Sequence, residues 1–196
     1  TMSMTAADFD QIMCFDLPTH VEGNLDVAVS GQQLKTLVKS PKKDGEMTLA
    51  VTDGFLEIID DGRSLGQLPL TDEEVSFSSP EAPKDAETII LPANFSAFVN
   101  DASMCVSKDP TRVQVHGVCF SKDGITATDG RELYHVPLPL AGLNSEISVV
   151  ITPALASIKR PWCSISTWVK EDRRFVIIRG DGFAYFAKIS NGKYPN

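Results

Sequence analysis

The residues that could carry out catalysis or hold a metal ion are few and scattered along this chain. His20, His116 and His135 have no cysteine or aspartate at the spacing of a nucleophilic or metal-binding cluster. The sequence contains neither a G-x-x-x-x-G-K phosphate-binding loop nor a G-x-S-x-G nucleophile turn. The cysteines lie far apart without a C-x-x-C pair, which favours reduced core residues over disulfides or a zinc site: Cys14, Cys105, Cys119 and Cys163. The sequence therefore predicts a non-catalytic protein with no metal and no cofactor.

The distribution of charge predicts a different chemistry, the attraction of a polyanion. The chain has a formal net charge of −8. Residues 30–43 contribute +4, residues 152–160 contribute +2 and residues 92–108 are neutral, so the rest of the chain carries −14. Positive helices on a negative body would admit nucleic acid to one face and repel it elsewhere. The alternative is that these cations only complement the C-terminal ends of helices.

These charges fall on a strand-to-helix unit that occurs three times. In residues 25–39, 88–101 and 148–160, an apolar run ends at a helix-opening residue and a helical apolar pattern follows. The openings are Ser30, Pro92 and Thr152-Pro153, which lie 62 and 60 residues apart. Equal spacing of this kind indicates a repeated supersecondary unit.

Each predicted helix is followed by short strands separated by Asp-Gly pairs, which are strong hairpin signals. The pairs begin at Asp53, Asp61, Asp123, Asp129 and Asp181. The predicted strands are residues 46–51, 55–59 and 64–68, then 112–121, 125–128 and 133–138, and finally 164–170, 175–179 and 183–189. The unit is therefore β-α-β-β-β, and the predicted fold class is α+β, with antiparallel sheets that carry helices on one face. The second and third units are joined by a brief loop, so we expect them to share one core.

The composition between the units predicts the domain organisation and the compartment. Residues 71–86 are acidic and rich in Ser and Pro without periodicity, which is typical of an interdomain linker. The sequence has no apolar run of the roughly 18 residues that a membrane-spanning helix needs, and its N-terminus lacks an export signal. We therefore predict a cytoplasmic protein with no membrane partner. An extracellular β-rich binding module would need paired cysteines or an export signal.

Four motifs, in this order along the chain, resemble the bacterial DNA sliding clamp, the beta subunit of DNA polymerase III. They are LPANFSAFV at 91–99, R-x-x-x-x-G-V-x-F at 112–120, A-T-D-G-x-x-L at 127–133 and G-K-Y-P-N at 192–196. The T-A-A-D-F run at residues 5–9 is similar to a T-x-x-D-L motif of the first clamp domain. The resemblance implies that residues 1–78 are the later part of a first clamp domain, residues 79–86 a linker and residues 87–196 a second clamp domain.

The resemblance implies the DNA clamp fold and a role in DNA replication as a polymerase processivity factor. Such a protein is a ring whose helices line a central hole, so that it encircles duplex DNA without sequence specificity and tethers DNA polymerase. By position, Lys39 and Lys108 match DNA-facing residues of the family. From charge alone we assign the same role to Lys35, Lys42, Lys43, Lys159 and Arg160.

The family also has an apolar groove that takes short peptide motifs from DNA polymerase and the clamp loader. The matching positions here are Val115, Thr128, Gly130, Arg131, Leu133 and Pro195. Apolar walls with exposed backbone suit peptide capture. The alternative is that Val115 and Leu133 are ordinary sheet core and that Pro195 is a linker residue.

The chain supplies three of the six half-domain units that the resemblance implies for a complete clamp subunit. We expect either a fragment of a longer protein, which would self-associate into a ring as a homo-oligomer when complete, or a shortened relative that assembles differently. The alternative function is a clamp-derived interaction scaffold that binds peptides without encircling DNA.

Overall fold

The computed structural model of this chain describes residues 2–7, 11–23, 26–38, 46–71, 81–143, 147–149, 153–156, 158–189 and 194–195. The chain divides into two compact units, one formed by Thr1–Thr19 with Ser78–Asn196 and the other by His20–Phe77. In chain order the described elements are β1 (Met2–Ala7), β2 (Gln11–Leu17), α1 (Gly31–Leu37), β3 (Met47–Thr52), β4 (Phe55–Asp60), β5 (Arg63–Pro69), β6 (Glu87–Ile90), α2 (Phe95–Ser103), β7 (Val118–Ser121), β8 (Gly124–Thr128), β9 (Leu133–Pro137), β10 (Ile147–Val149), α3 (Pro153–Ala156), β11 (Trp162–Lys170), β12 (Arg173–Gly180) and β13 (Phe183–Lys188). The described strands pair antiparallel throughout, so the predicted α+β class with antiparallel sheets is confirmed.

The smaller unit is a three-stranded sheet, β3-β4-β5, with α1 packed against it. Ser30 caps α1 as predicted, because its side chain accepts a hydrogen bond from the Gln33 backbone N–H at 3.5 Å. Leu34 and Leu37 pack from the helix onto a small core whose buried residues are Leu56, Ile58 and Leu68. Helix and sheet therefore meet through apolar positions spaced one helical turn apart.

Two of the predicted Asp-Gly hairpins shape this sheet. Asp53 and Gly54 have φ values of 50° and 81°, and Asp61 and Gly62 have values of 51° and 76°. Positive φ at both central residues is the signature of the type I′ turn, whose twist matches that of the strands it joins. The predicted strand before Ser30 is wrong for the described residues 26–30, which form no strand.

The larger unit contains two sheets, β1-β2-β13-β12-β11-β6 and β10-β7-β8-β9. The helix α2 buries Phe95, Val99 and Ala102 against them. The Phe95 ring lies 5.4 Å from that of Phe120 on β7 and 6.0 Å from that of Trp162 on β11. The second and third predicted repeats thus share one continuous core, as expected from the brief loop between them.

The N-terminal strands belong to the larger unit. β2 pairs with β13 over five residue pairs, from Phe15 opposite Phe183 to Gln11 opposite Ala187, and β1 extends the same sheet. Tyr185 adds a hydrogen bond from its hydroxyl to Gln11 Oε1 at 2.8 Å. We predicted that residues 1–78 belong to one domain, whereas the compact units place Thr1–Thr19 with the larger unit. The division of the chain into clamp domains at residues 78 and 86 stays a prediction.

Three local predictions need correction. α2 begins at Phe95 after Asn94, and not at Pro92. α3 is a single turn in the described residues, and the predicted strand at 112–121 forms only over Val118–Ser121. The chain before Val118 turns instead of extending, because Asp109 accepts the backbone N–H of Thr111 at 2.9 Å and the Ser107 backbone bonds to Val115. No helix among the described residues is both long and apolar enough to cross a membrane.

We predict that Phe95→Ala lowers the free energy of unfolding by about 3–5 kcal/mol, because it leaves a cavity between two sheets. Denaturant unfolding of the full-length chain measures this loss. Met104→Ala is the matched control, because Met104 follows the same helix but is 78% exposed, and it should change stability by less than about 0.5 kcal/mol. Equal effects of the two substitutions would contradict the assignment of Phe95 to the shared core.

Candidate functional site

A groove of about 790 Å³ opens beside the β8–β9 hairpin of the larger unit. The lining comes from the loop before β7, from the two hairpin strands and from the described end of the chain. These residues are Thr111, Arg112, Val113, Gln114, Val115, Thr126, Thr128, Gly130, Leu133, His135, Tyr194 and Pro195. Three separate segments thus meet at one surface.

Five of the six residues predicted for a peptide groove line this cavity: Val115, Thr128, Gly130, Leu133 and Pro195. The sixth, Arg131, lies in the exposed β8–β9 turn and is not part of the lining. Val115 is buried, whereas Leu133 is 71% exposed. Leu133 is therefore not ordinary sheet core, and its role in binding stays a prediction.

The β8–β9 turn is held by its own polar groups. Thr128 Oγ1 accepts the Gly130 N–H at 3.0 Å and donates to the Glu132 carbonyl at 2.6 Å. Asp129 Oδ1 accepts the N–H groups of Arg131 and Glu132 at 2.8 and 2.9 Å. The hydrogen bonds from Glu132 and Arg131 hold the pKa of Asp129 below its usual value, because they stabilise the carboxylate. The rim of the groove is therefore a fixed turn.

Arg112, which also lines the groove, stabilises this turn. Its Nη1 donates to the Asp129 carbonyl at 2.7 Å. A Cβ atom at Gly130 would lie 2.9 Å from Arg112 Nη2, and Gly130 has a φ of 90°, so both space and backbone conformation favour glycine. Arg112 stood in a sequence motif but not among the predicted groove residues.

The lining of the groove combines apolar and polar side chains. Val115 and Tyr194 are 5% and 7% exposed, whereas Val113 is 53% exposed. Among the polar lining residues, Thr126 Oγ1 and His135 Nδ1 are 2.9 Å apart. Buried apolar side chains beside polar groups and a turn with exposed backbone can hold an extended peptide with apolar side chains.

Sequence reasoning missed the remaining lining residues, although strand alternation could have indicated two of them. In the β8–β9 register, Thr126 lies opposite His135 and Thr128 lies opposite Leu133. Side chains two residues apart share a face of a sheet, so Thr126 and His135 accompany the predicted pair. Arg112, Val113 and Tyr194 come from other segments; Arg112 and Tyr194 stand in the quoted motifs, but no local pattern assigns any of the three to a groove.

The predicted DNA-facing cations fall into three groups. Lys35 in the last turn of α1, Lys108 after α2 and Lys159 after α3 are exposed. Lys39, Lys42 and Lys43 lie outside the described residues. Arg160 is half-buried, and its Nη1 lies 3.2, 3.3 and 3.1 Å from the carbonyl oxygens of Asp16, Asp181 and Gly182.

The contacts of Arg160 give it a structural role that the charge count did not indicate. They join the end of β2 to the turn between β12 and β13. A guanidinium that donates to several backbone carbonyls is less available to a phosphate than a solvated lysine. Its assignment as a DNA-facing residue stays a prediction.

Comparison with known proteins relates the chain to one set of solved structures. Neither a family model nor a curated protein sequence matches it. A DnaN sliding clamp (DNA polymerase III subunit beta) from Bartonella birtlesii, bound to griselimycin, matches with a TM-score of 0.73 and 16% identity over 99% of this chain and 55% of that chain. The Helicobacter pylori beta clamp bound to a DNA ligase peptide matches with a TM-score of 0.71 and 18% identity over 99% of this chain and 56% of that chain.

A third match has the same coverage. The DNA polymerase III beta subunit from Thermotoga maritima matches with a TM-score of 0.74 and 15% identity over 99% of this chain and 55% of that chain. The similarity therefore extends along nearly the whole chain, which spans about half the length of these proteins.

We predict that Tyr194 ionises well above the usual pKa of a tyrosine. Burial raises its pKa to about 12, although the Thr128 backbone lowers it in part. Because the unfolded tyrosine ionises near pH 10.0, stability should fall as the pH rises from there towards 12. Tyrosinate absorbance after a pH jump measures the native ionisation.

Two variants test the assignment of this ionisation. Tyr194→Phe should remove the step near pH 12, whereas Tyr134→Phe should keep it. Persistence of the step in Tyr194→Phe would show that another group is responsible.

Proposed function

Because this chain has the fold of the bacterial DNA sliding clamps, we propose that it is part of a clamp-type processivity factor. In this proposal it is a non-catalytic subunit that encircles duplex DNA and tethers DNA polymerase and other replication proteins. The observation that carries the proposal is the groove, in which five predicted residues meet within a clamp fold that extends along the chain. Fold alone would not identify a function.

Capture of short peptides is the part of this function that the geometry supports best. The groove combines the buried Val115 and Tyr194 with the exposed Leu133 and Val113, so an apolar peptide side chain could be taken out of water. The Thr128–Glu132 turn is held by side-chain bonds and presents backbone to the solvent. The H. pylori clamp is bound to a DNA ligase peptide and the B. birtlesii clamp to griselimycin, so we propose ligands of these kinds for this chain.

Contact with DNA is proposed through exposed lysines and not through base recognition. Lys35, Lys108 and Lys159 are exposed, and each could approach a phosphate without fixing a sequence. The net charge of −8 opposes tight binding by the rest of the chain. A weak, sequence-independent attraction of this kind suits a protein that moves along DNA.

Ring closure would require more clamp domains than this chain supplies. The chain spans about 55% of the B. birtlesii and T. maritima clamps. We propose that further segments of the same protein or further copies complete the ring.

A second candidate function, a scaffold that binds peptides without encircling DNA, is favoured by two observations. The helix α2 carries no basic residue, and the Arg160 guanidinium lies within hydrogen-bond distance of three backbone carbonyls. Both reduce the positive charge available for DNA in the larger unit. The two functions share the groove and differ in their need for DNA.

We predict that Leu133→Asp weakens binding of griselimycin and of the DNA ligase peptide by about tenfold or more, because it replaces an apolar lining side chain with a charged one. Isothermal titration with the full-length chain measures both ligands. Val169→Asp is the matched control, since Val169 is 66% exposed on β11 and does not line the groove. Unchanged binding in Leu133→Asp would refute the groove as the peptide site.

We predict that the full-length protein, loaded on nicked circular DNA by its clamp loader, dissociates when the circle is linearised. Retention on linear DNA would refute topological linkage.

Lys39→Glu with Lys108→Glu should reduce polymerase stimulation and leave peptide binding intact, whereas Lys122→Glu should change neither. The scaffold function is favoured if the double variant stimulates polymerase normally and forms no complex that is lost when circular DNA is linearised.

A further inference from the structure

Three aromatic side chains of the six-stranded sheet form a cluster outside the core of the larger unit. The Trp168 and Phe175 rings stack with centroids 5.7 Å apart, and those of Phe175 and Phe186 stack at 5.6 Å. Trp168 and Phe186 close the triangle at 6.0 Å. All three side chains are half-buried, and the core cluster of the unit does not include them.

Strand alternation places this cluster on the face of the sheet that points away from the core. Val176 and Ile178 of β12 belong to the core, so Phe175 and Ile177 lie on the opposite face. Ile177 is fully buried although it lies on that face, because it is opposite Phe186 and next to Phe175 along the strand. We call Trp168, Phe175, Ile177 and Phe186 the aromatic face.

Cations border the aromatic face. Lys188 lies opposite Phe175, and Lys170 and Arg173 form the next register pair on the same face of the sheet, two positions beyond Trp168 and Phe175. Within the described part of the chain these three side chains make no salt bridge. The acidic neighbours Glu171 and Asp172 lie in the hairpin tip, where both have positive φ.

This arrangement differs from the negative exterior expected of the sheets. The chain has a net charge of −8, yet an apolar cluster on an outer sheet face is bordered by three basic residues. Exposed apolar clusters with a polar border are typical of interaction sites. The charge at the border selects an acidic partner, and the rings select an apolar side chain.

We propose that the aromatic face is a docking surface for an acidic peptide segment that carries an apolar anchor. In this proposal the apolar anchor of the peptide packs against the edges of the rings and supplies much of the binding free energy. Carboxylates of the peptide form ion pairs with Lys170, Arg173 and Lys188. The surface is separate from the groove, because none of its residues lines the groove.

The ring geometry favours a peptide over single-stranded nucleic acid. Base stacking needs a free aromatic face. Here the rings stack on one another at interplanar angles of 25° and 15°, so much of their faces is already covered. The net negative charge of the chain also opposes a polyanion.

The test measures binding of a short peptide in which a Leu-Phe pair lies between aspartates and glutamates. The chain has two tryptophans, Trp162 and Trp168. The full-length chain carrying Trp162→Phe is used, so that the tryptophan fluorescence comes from Trp168; Trp162 itself is 2% exposed. We expect saturable binding that protects Trp168 from acrylamide quenching. Peptides with Ser-Gly in place of Leu-Phe, or with amides in place of the carboxylates, should bind about tenfold more weakly.

Variants locate the peptide. Arg173→Glu with Lys188→Glu should weaken binding by about tenfold, whereas Lys122→Glu and Leu133→Asp should leave it unchanged. The proposal is overturned if the peptide does not bind, if Trp168 is shielded from acrylamide before the peptide is added, or if Leu133→Asp abolishes binding. Tighter binding of an oligothymidylate than of the peptide overturns it as well.

Discussion

The packing of Phe95 between Phe120 and Trp162 is the constraint on which the larger unit depends. One ring at the start of α2 contacts aromatic residues of both sheets, so helix and sheets take up positions together. This packing also orients the groove. Ile125 and Ala127 of β8 are fully buried in the same core, and strand alternation then turns Thr126 and Thr128 to the opposite face, where they line the groove.

The groove combines a hydrogen-bonded turn with the buried side chains of Val115 and Tyr194. In the β8–β9 turn, Thr128 and Asp129 accept hydrogen bonds from backbone N–H groups, and Arg112 donates to the Asp129 carbonyl. A rim that is ordered before binding reduces the entropy lost when a peptide docks. The clamp fold supplies the scaffold, and these few polar contacts make one of its surfaces suitable for peptide recognition.

The basic residues of the chain serve different physical purposes that a net charge does not separate. Lys35 and Lys159 are solvated, and Arg160 approaches three carbonyls at the junction of β2 with β12 and β13. Lys188 borders an aromatic cluster on the outside of a sheet. The count of charges on helices does not distinguish these roles, because the attraction of each cation depends on what surrounds it, and its prediction of a DNA-facing side stays a prediction.

The sequence by itself determined the features that depend on neighbouring residues. Ser30 caps α1, and the Asp53-Gly54 and Asp61-Gly62 pairs adopt the turn that hairpins require, because cap and turn energies are set within a few residues. The repeated strand and turn pattern was enough to predict the α+β class. Motifs from three segments also indicated five groove residues, although only a resemblance joined those segments.

Only the tertiary structure decided which distant segments meet. The extended pattern at 112–117 turns because Ser107, Asp109 and their neighbours bond across the loop, and β2 pairs with a strand almost at the other end of the chain. Arg160 reaches a carbonyl 144 residues away, and Trp168 contacts rings from two other strands. Such contacts depend on burial and register that form when the sheets assemble, and local propensity carries no information about them.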